Sequence, residues 1–399
     1  IFFRAQAFCS PKPLRPFAAA PPPPFTVTRQ GPAMSIKNLG HCEAVERADK
    51  GRTYVTTNAV TCGAKLLMEV PLASTQSWRP GAEIPDEAWF DVVGQLARLQ
   101  KTDPSHRKLR YNSKIKEDCP TKSILSDITD EEFAIAHAQV QANASIGTVS
   151  EGQEKLLLFL HTSYLDHSCM PNAAILTKST PDGPSHVVYA IEDIPKGEEV
   201  LICFEGDELL YMPTPQRKQF LEEHHKLNCS CNRCTNPPES DAVLTACDNA
   251  GAGEKMEGME EGFSKCETLA VSWAKDPKSV RLSLLIEQLR GFLGFWPLDR
   301  GHWRVHRVRG WMADSLSAFL NGDREGEEWS SAVSEIEHTL WECIWWESQV
   351  LPLMHPKRMQ RLKEYLHWAE AEEDDSGEWP HKNEAEEGIK LLESVYGSD

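Results

Sequence analysis

No uninterrupted apolar run in the chain reaches the roughly 18 residues that a membrane-spanning helix requires, so none is expected. Positive charge is scarce too: Lys and Arg number 42 against 60 Asp and Glu, a net charge of −18. That balance argues against a nucleic-acid backbone as the main partner and suits a basic protein or peptide. A disulfide framework is also missing, because the 12 cysteines are spread over 399 residues except for three packed into 229–234. Such a group of thiols reads as a metal site in a reducing compartment. Acidic residues are absent before Glu43, and positions 1–33 hold eight prolines together with Arg4, Lys12, Arg15 and Arg29. A leader of that composition builds no core. Two readings of it stay open: an organellar transit peptide, or translated upstream sequence with Met34 as the start. The expected location is cytoplasmic or nuclear, and organellar if the leader is a true transit peptide.

What the chain does contain begins with short strand-like runs. Residues 51–57 (GRTYVTT) are rich in Thr, Tyr and Val, and 64–73 (AKLLMEVPLA) follow a break at Cys62-Gly63. Strands of that length between turn residues predict a small β unit over 34–77. From residue 84 the period changes, with Trp89, Val92, Val93, Leu96 and Leu99 at helical spacing. A second helix is predicted to open at Thr129, where Thr129 and Glu132 form a capping-box pattern ahead of Phe133 and Ile135. Residues 78–140 therefore read as a helical insert in a β framework. Strand texture returns in Val187–Ile191 and Val200–Phe204, two apolar runs flanking Pro195-Lys196-Gly197. They are predicted to be adjacent strands, the second buried on both faces.

Past 236 the composition turns helical and Trp-rich. Residues 237–275 read as a linker. A helix is expected next, with Asp276 as N-cap, Pro277 at N1, and Leu282, Leu285, Ile286, Leu289 and Leu293 on one face. The spacing recurs in Val305–Phe319, Ile336–Ile344 and Met359–Ala369, so 276–399 is expected to be an all-α domain of helical hairpins. Trp341, Trp345 and Trp346 are placed in its packing seams, and 370–379 (EAEEDDSGEW) reads as a solvated acidic stretch.

Two polar clusters carry the chemistry. Residues 163–175 (SYLDHSCMPNAAI) leave the apolar run Leu156–Leu160 and crowd Asp166, His167, Ser168, Cys169 and Asn172 beside core material. Burying a polar group unpaired costs about 1–3 kcal/mol, so such groups are paired or functional. The second cluster, Cys229-x-Cys231-x-x-Cys234, offers three soft ligands on one polar loop. Tetrahedral zinc takes four. Cys247, His224 and His225 lie near in sequence, but Cys169 is the better fourth ligand, since its own cluster gives it no disulfide partner. A zinc on Cys169, Cys229, Cys231 and Cys234 would fold the loop back over the Asp166–His167 turn.

Taken in order, these stretches resemble the SET-domain protein methyltransferases. LDHSCMPN (165–172) is similar to that family's Asn-His-Ser-Cys-x-Pro-Asn motif, IPKGEEVLICF (194–204) to its Gly-Glu-Glu-Leu-x-Ile-x-Tyr strand, and CSCNRC (229–234) to its post-SET zinc triplet. The KGRTYVTT and PLA segments agree with its N-terminal half. The split domain followed by helices looks most like the SMYD branch, although the insert lacks the cysteine and histidine pairs of that branch's MYND finger. The resemblance implies an α+β chain: a SET β-fold with knot-like threading (34–77 completed by 141–208), a post-SET zinc region at 209–236, then a TPR-like helical-hairpin domain. It implies S-adenosylmethionine as methyl donor beside the zinc, and a lysine of a basic histone or non-histone protein as acceptor. A monomer contacting neither nucleic acid nor membrane is the expected state. The resemblance places Lys50, Gly51 and Arg52 along the donor's methionine moiety. Asn143, Ser163, Leu165, Asp166 and His167 would surround its amino group and adenine, and Leu227 would stand where the family stacks an aromatic ring.

Three positions depart from the pattern: Asp166 replaces Asn, Leu227 replaces the aromatic, and Phe204 replaces the catalytic tyrosine. Phenylalanine fills the same volume but makes no hydrogen bond. Tyr211 or Tyr189 is the candidate to supply the hydroxyl from elsewhere. Two functions follow: an active protein-lysine methyltransferase, or a SET scaffold that binds a partner through its helical domain without catalysis.

Overall fold

The computed structural model describes residues 36–47, 51–75, 86–103, 109, 127–148, 154–180, 183–204, 207–237, 241–242, 244–245, 253–295, 301–321, 327–371 and 379–396. Strands β1 (Ile36–Asn38), β4 (Lys65–Glu69), β10 (Gly183–Ala190) and β9 (Ala173–Thr180) form an antiparallel sheet in the order β1-β4-β10-β9. Strands β2 (Cys42–Arg47) and β3 (Gly51–Thr56) form a hairpin in register from Cys42 opposite Thr56 to Arg47 opposite Gly51. A third sheet runs β5 (Ala73–Ser74), β7 (Glu154–Leu158), β6 (Ala144–Thr148). Two insert helices, α1 (Asp86–Thr102) and α2 (Asp130–Asn143), pack on it. The capping box is formed: the Glu132 N–H donates to the Thr129 hydroxyl and the Thr129 N–H donates to the Glu132 carboxylate at 2.9 Å. Val92, Val93 and Leu96 of α1 share one core with Phe133 and Val140 of α2 and with Leu156 and Leu158 of β7. The helical period is thus the face that meets the sheet.

The two apolar runs expected to pair do not. Both edges of β10 are taken, by β4 and by β9. Strand β11 (Leu201–Ile202) instead runs parallel to β8 (Asp166–His167), Leu201 opposite Asp166 and Ile202 opposite His167. On its other flank Glu199 bridges Val55 antiparallel, and the Val200 N–H donates to the Tyr54 carbonyl at 2.9 Å. Residues 199–202 are therefore threaded between β3 and β8, which is the knot-like closure. Asn172 locks it: its Nδ2 donates to the Glu199 carbonyl at 2.9 Å and its Oδ1 accepts the Leu201 N–H at 2.8 Å. Nor is the run buried on both faces. Val200 and Ile202 are buried, Leu201 and Cys203 only partly, and Phe204 is 37% exposed.

Helices α3 (Thr214–His225) and α4 (Asn232–Thr235) make up the post-SET region. Among the described residues six more follow: α5 (Gly253–Lys275), α6 (Leu282–Phe295), α7 (Trp303–Leu320), α8 (Glu327–Val350), α9 (Pro356–Ala371) and α10 (Lys382–Tyr396). Each packs on the next, giving the array of hairpins. The linker expected at 237–275 is mostly helix: α5 spans 23 residues and buries Met259, Phe263, Cys266 and Ala270 at helical spacing. Glycines and glutamates at its start disguised it. Asp276 does not cap α6; its carboxylate accepts the Lys278 N–H at 3.0 Å in the turn between α5 and α6, and α6 begins at Leu282. Trp346 is fully buried, its Nε1 donating to the Gly301 carbonyl at 2.6 Å, and Trp341 stacks on His381 at 3.8 Å. Helix α10 returns to the SET sheet. Tyr396 sets its ring against Tyr189 of β10 at 4.9 Å, and Val395 lies 2.9 Å from where a Cβ on Gly63 would stand.

Candidate active site and metal centre

Cys169 follows β8, and Cys229, Cys231 and Cys234 follow α3. Their four Sγ atoms all lie within 4.8 Å of one another, with Cys169 and Cys234 at 3.6 Å. A tetrahedral ion with Zn–S bonds of about 2.3 Å spaces its sulfurs by about 3.8 Å, so this donor set fits zinc. Hydrogen bonding from Cys169 draws the Cys231 thiol down to about 5 and lowers that of Cys229, while Cys169 itself is raised. Neither His224 nor His225 belongs to the group; Cys247 lies outside the described residues.

The end of α3 shapes the metal loop. Lys226 takes a left-handed φ of 52°, and the Leu227 N–H reaches back to the Leu221 carbonyl at 3.1 Å. This is a left-handed helix cap, in which the Lys226 N–H donates to the Glu222 carbonyl at 3.2 Å, and Leu221 and Leu227 belong to the apolar cluster beside the thiols. Leu227, expected against the methyl donor, thus packs on the metal cluster. Arg233 is buried between the ligands and donates to the carbonyls of Cys169 at 3.3 Å and Leu210 at 2.6 Å, tying the two cysteine segments together.

Of the residues expected to hold the donor, Ser163, Leu165, Asp166 and His167 lie on the loop that joins β7 to β8 through a 3-10 turn, Thr162–Tyr164, and Arg52 reaches it. Gly51 opens β3 at φ +77°, a region that favours glycine, and among the described residues nothing lies within 4 Å of an added Cβ. Arg52 pairs with Glu46 at 2.8 Å and lies over the Tyr164 ring, 5.1 Å from its centre, which brings β3 to the 3-10 turn. Asn143 turns its Nδ2 back to the Gln139 carbonyl at 2.7 Å. Ser163 donates to the Leu160 carbonyl at 2.6 Å, Leu165 is buried, and Asp166 and His167 are half-buried. His167 Nδ1 accepts the Phe204 N–H at 3.2 Å, and its Nε2 lies 3.3 Å from Cys169 Sγ. Lys50 falls outside the described residues.

Phe204 lies between the rings of His167 and His225, at 5.2 and 5.5 Å, and lines a cleft of about 1090 Å³. One wall is SET sheet and threaded strand, with Ile175, His186 and Phe204; the other is the helical domain, with Asp314, Glu364 and Trp368. Lys357 and Lys363 also face the cleft, so its charge is mixed rather than acidic. Neither tyrosine expected to replace the missing hydroxyl lines it. Tyr189 packs on Tyr396, and Tyr211 is buried against His306 and Trp346 at 4.8 and 5.1 Å in the helical core.

Sequence reasoning missed two residues here. Glu69, 3% exposed, accepts the N–H groups of Leu160 and His161 at 2.8 Å and of Thr162 at 2.9 Å. Burial nonetheless pushes its carboxyl up to about 7. His186, buried and held neutral by burial with its pKa lowered to about 3, sits 3.2 Å from the Thr162 hydroxyl and 3.4 Å from that of Ser145. The available signals were a lone acid in the apolar run LLMEV and a lone imidazole opening HVVYAI.

The threaded strand and the His167–Phe204 contact lie within residues 56–205, the stretch over which a SET domain is matched. Within that class the chain is SMYD-like. It is 29% identical over 145 residues to human "Histone-lysine N-methyltransferase SMYD3", covering 36% of this chain and 30% of that protein. The mouse protein of that name is 28% identical over 193 residues, 47% of this chain and 41% of the relative. "N-lysine methyltransferase SMYD2-B" of Xenopus laevis is 24% identical over 214 residues, 51% and 44%. The matches thus span less than half the length of these relatives. The crystal structure of the SET domain of LSMT bound to lysine and AdoHcy aligns with 90% of this chain and 94% of that one, at 12% identity and a TM-score of 0.34. A superposition that loose fixes no residue correspondence.

Proposed function

We propose that the chain is an S-adenosylmethionine-dependent protein-lysine N-methyltransferase. The observation that carries this is Phe204, which touches the donor loop through His167 and at the same time lines the cleft between the two domains. The donor, when bound, supplies a sulfonium methyl. Gly51, Arg52, Asp166 and His167 would hold it, and the Asp166 carboxylate suits a cationic neighbour as well as the family's asparagine does. The cleft admits a side chain, sheds its water and aligns it. The relatives' names make lysine the acceptor class, and the net charge of −18 attracts basic segments toward the molecule. Zinc on the four cysteines would take no part in transfer; it holds the α3–α4 loop against β8.

Calorimetric titration with S-adenosylmethionine, followed by transfer of labelled methyl to basic proteins, tests this reading. Saturable donor binding with transfer to lysine is the expected result. The absent hydroxyl at Phe204 favours a second reading, a donor-binding scaffold; binding without transfer to any basic protein would establish it instead.

A further inference from the structure

Glu69 is an anion placed where the strand itself has no use for one. It ends β4 in the interior of the four-stranded sheet, opposite Ile36 on one side and His186 on the other. Its neighbours along the strand, Leu66 and Leu67, are fully buried. Removing a carboxylate from water is costly, so its bonds must fix something. They are made to three consecutive backbone N–H groups, Leu160 and His161 on Oε1 and Thr162 on Oε2. These donors set the path of the chain as it leaves β7. The turn that follows has no side-chain cap of its own, because His161 at its N-cap position makes no such bond. Glu69 supplies that cap from a distant strand. Thr162 then links the turn to His186 through its hydroxyl, and His186 and Ser145 both line the cleft. The residues next along the loop are Ser163, Leu165, Asp166 and His167.

We propose that Glu69 is a positioning residue of the methyl-donor site. It holds the 160–167 loop so that Asp166 and His167 meet the donor, and through Thr162 and His186 it joins that loop to the lysine cleft. The inference rests on the donor reading of this loop. Donor affinity then depends on Glu69 although Glu69 touches no donor atom. The titratable groups around it are Tyr54 of β3, His161 and Tyr164 of the loop and His186 of β10, with Arg52 behind Tyr164. Burial raises both phenols and lowers both imidazoles, so between about pH 7 and 8.5 the carboxylate is the member of this set that changes charge. Once protonated, Glu69 presents an O–H where an N–H already points, and the cap weakens.

Titration calorimetry of the full chain with S-adenosylmethionine across that range, for wild type and Glu69→Gln, tests the proposal. Glutamine keeps the shape and one carbonyl oxygen but sets an NH2 against one of the three donors. At the alkaline end the variant should bind about tenfold more weakly or worse, and the ratio of the two Kd values should shrink as pH falls. That ratio cancels the donor's own titration, and a purely structural role would leave it constant. With donor saturating, kcat should stay within about twofold, so that the donor KM carries the loss. Thr162→Val, which removes the hydroxyl but keeps the N–H bonds, should also weaken donor binding, and it decides the matter if Glu69→Gln does not fold. Wild-type affinity and pH profile in the folded variant, or in Thr162→Val where that substitutes, would overturn the proposal alone. Failure of the wild type to bind the donor would overturn the donor reading and this inference with it.

Discussion

Phe204 stands at the mouth of the cleft, 37% exposed, so a hydroxyl added to its ring meets water and an incoming amine rather than a sealed core. Phe204→Tyr is therefore expected to fold normally and to raise labelled-methyl transfer by about tenfold or more, with donor Kd in calorimetry unchanged. A flat rate would mean that the two flanking imidazoles already do the work of a tyrosine. Glu69 makes the second prediction at this scale. Its carboxyl rises from 4.5 to about 7 on folding. A raised folded value means that its stabilising contribution is full below the unfolded value and is lost as pH climbs through about 7. Relative to wild type, Glu69→Gln should thus gain stability between pH 5 and 7, by about 3 kcal/mol over the whole shift. Thermal melts at half-unit pH steps read this directly; parallel curves would refute it. The ionised form that serves the loop is also the form that costs stability. None of this was legible in LLMEV, because the three donors come from a segment distant in sequence. The cysteines and the DHSC run were legible because residue types so unusual together have few other uses.

At the scale of elements, the metal loop is held by two caps of different kind, the Leu221–Leu227 closure of α3 and the Arg233 guanidinium between two carbonyls. A zinc on the quartet adds the tie to β8 through Cys169. Cys169→Ser should lose the metal, measured by elemental analysis after dialysis against a chelator, while α5 to α10 keep their far-ultraviolet signal. Full zinc retention would remove Cys169 from the ligand set. Helix faces were read well from the sequence, since α1, α7 and α8 each repeat their apolar residues at the helical period. Pairing of β11 was not, because β10 had already spent both its edges and the true neighbours, β3 and β8, are distant in sequence. Helix α5 was hidden by Gly253, Gly258 and Gly262, which weaken the helical signal without preventing the fold.

For the whole molecule, the α+β division into a SET unit and a helical array was open to reading, but the way the two are fastened was not. The stretch after 370 reads as an acidic tail, and residues 372–378 lie outside the described structure. Beyond them α10 is a core helix: Ala385, Ile389, Leu392 and Tyr396 are all buried. It reaches β10 through Tyr396, β9 through Lys178, which donates to the Tyr396 carbonyl, and the β3–β4 turn through Val395. A chain ending at residue 371 should uncover Tyr189 and melt several degrees lower than the full chain, which scanning calorimetry would show. An unchanged melt would make α10 a bystander. The clasp also has a meaning in time. A ribosome delivers the SET strands well before α10, at about 5–20 residues per second. For some seconds the nascent sheet must wait with Tyr189 and the Gly63 turn bare, so the surface most in need of a chaperone is the one that the finished protein hides.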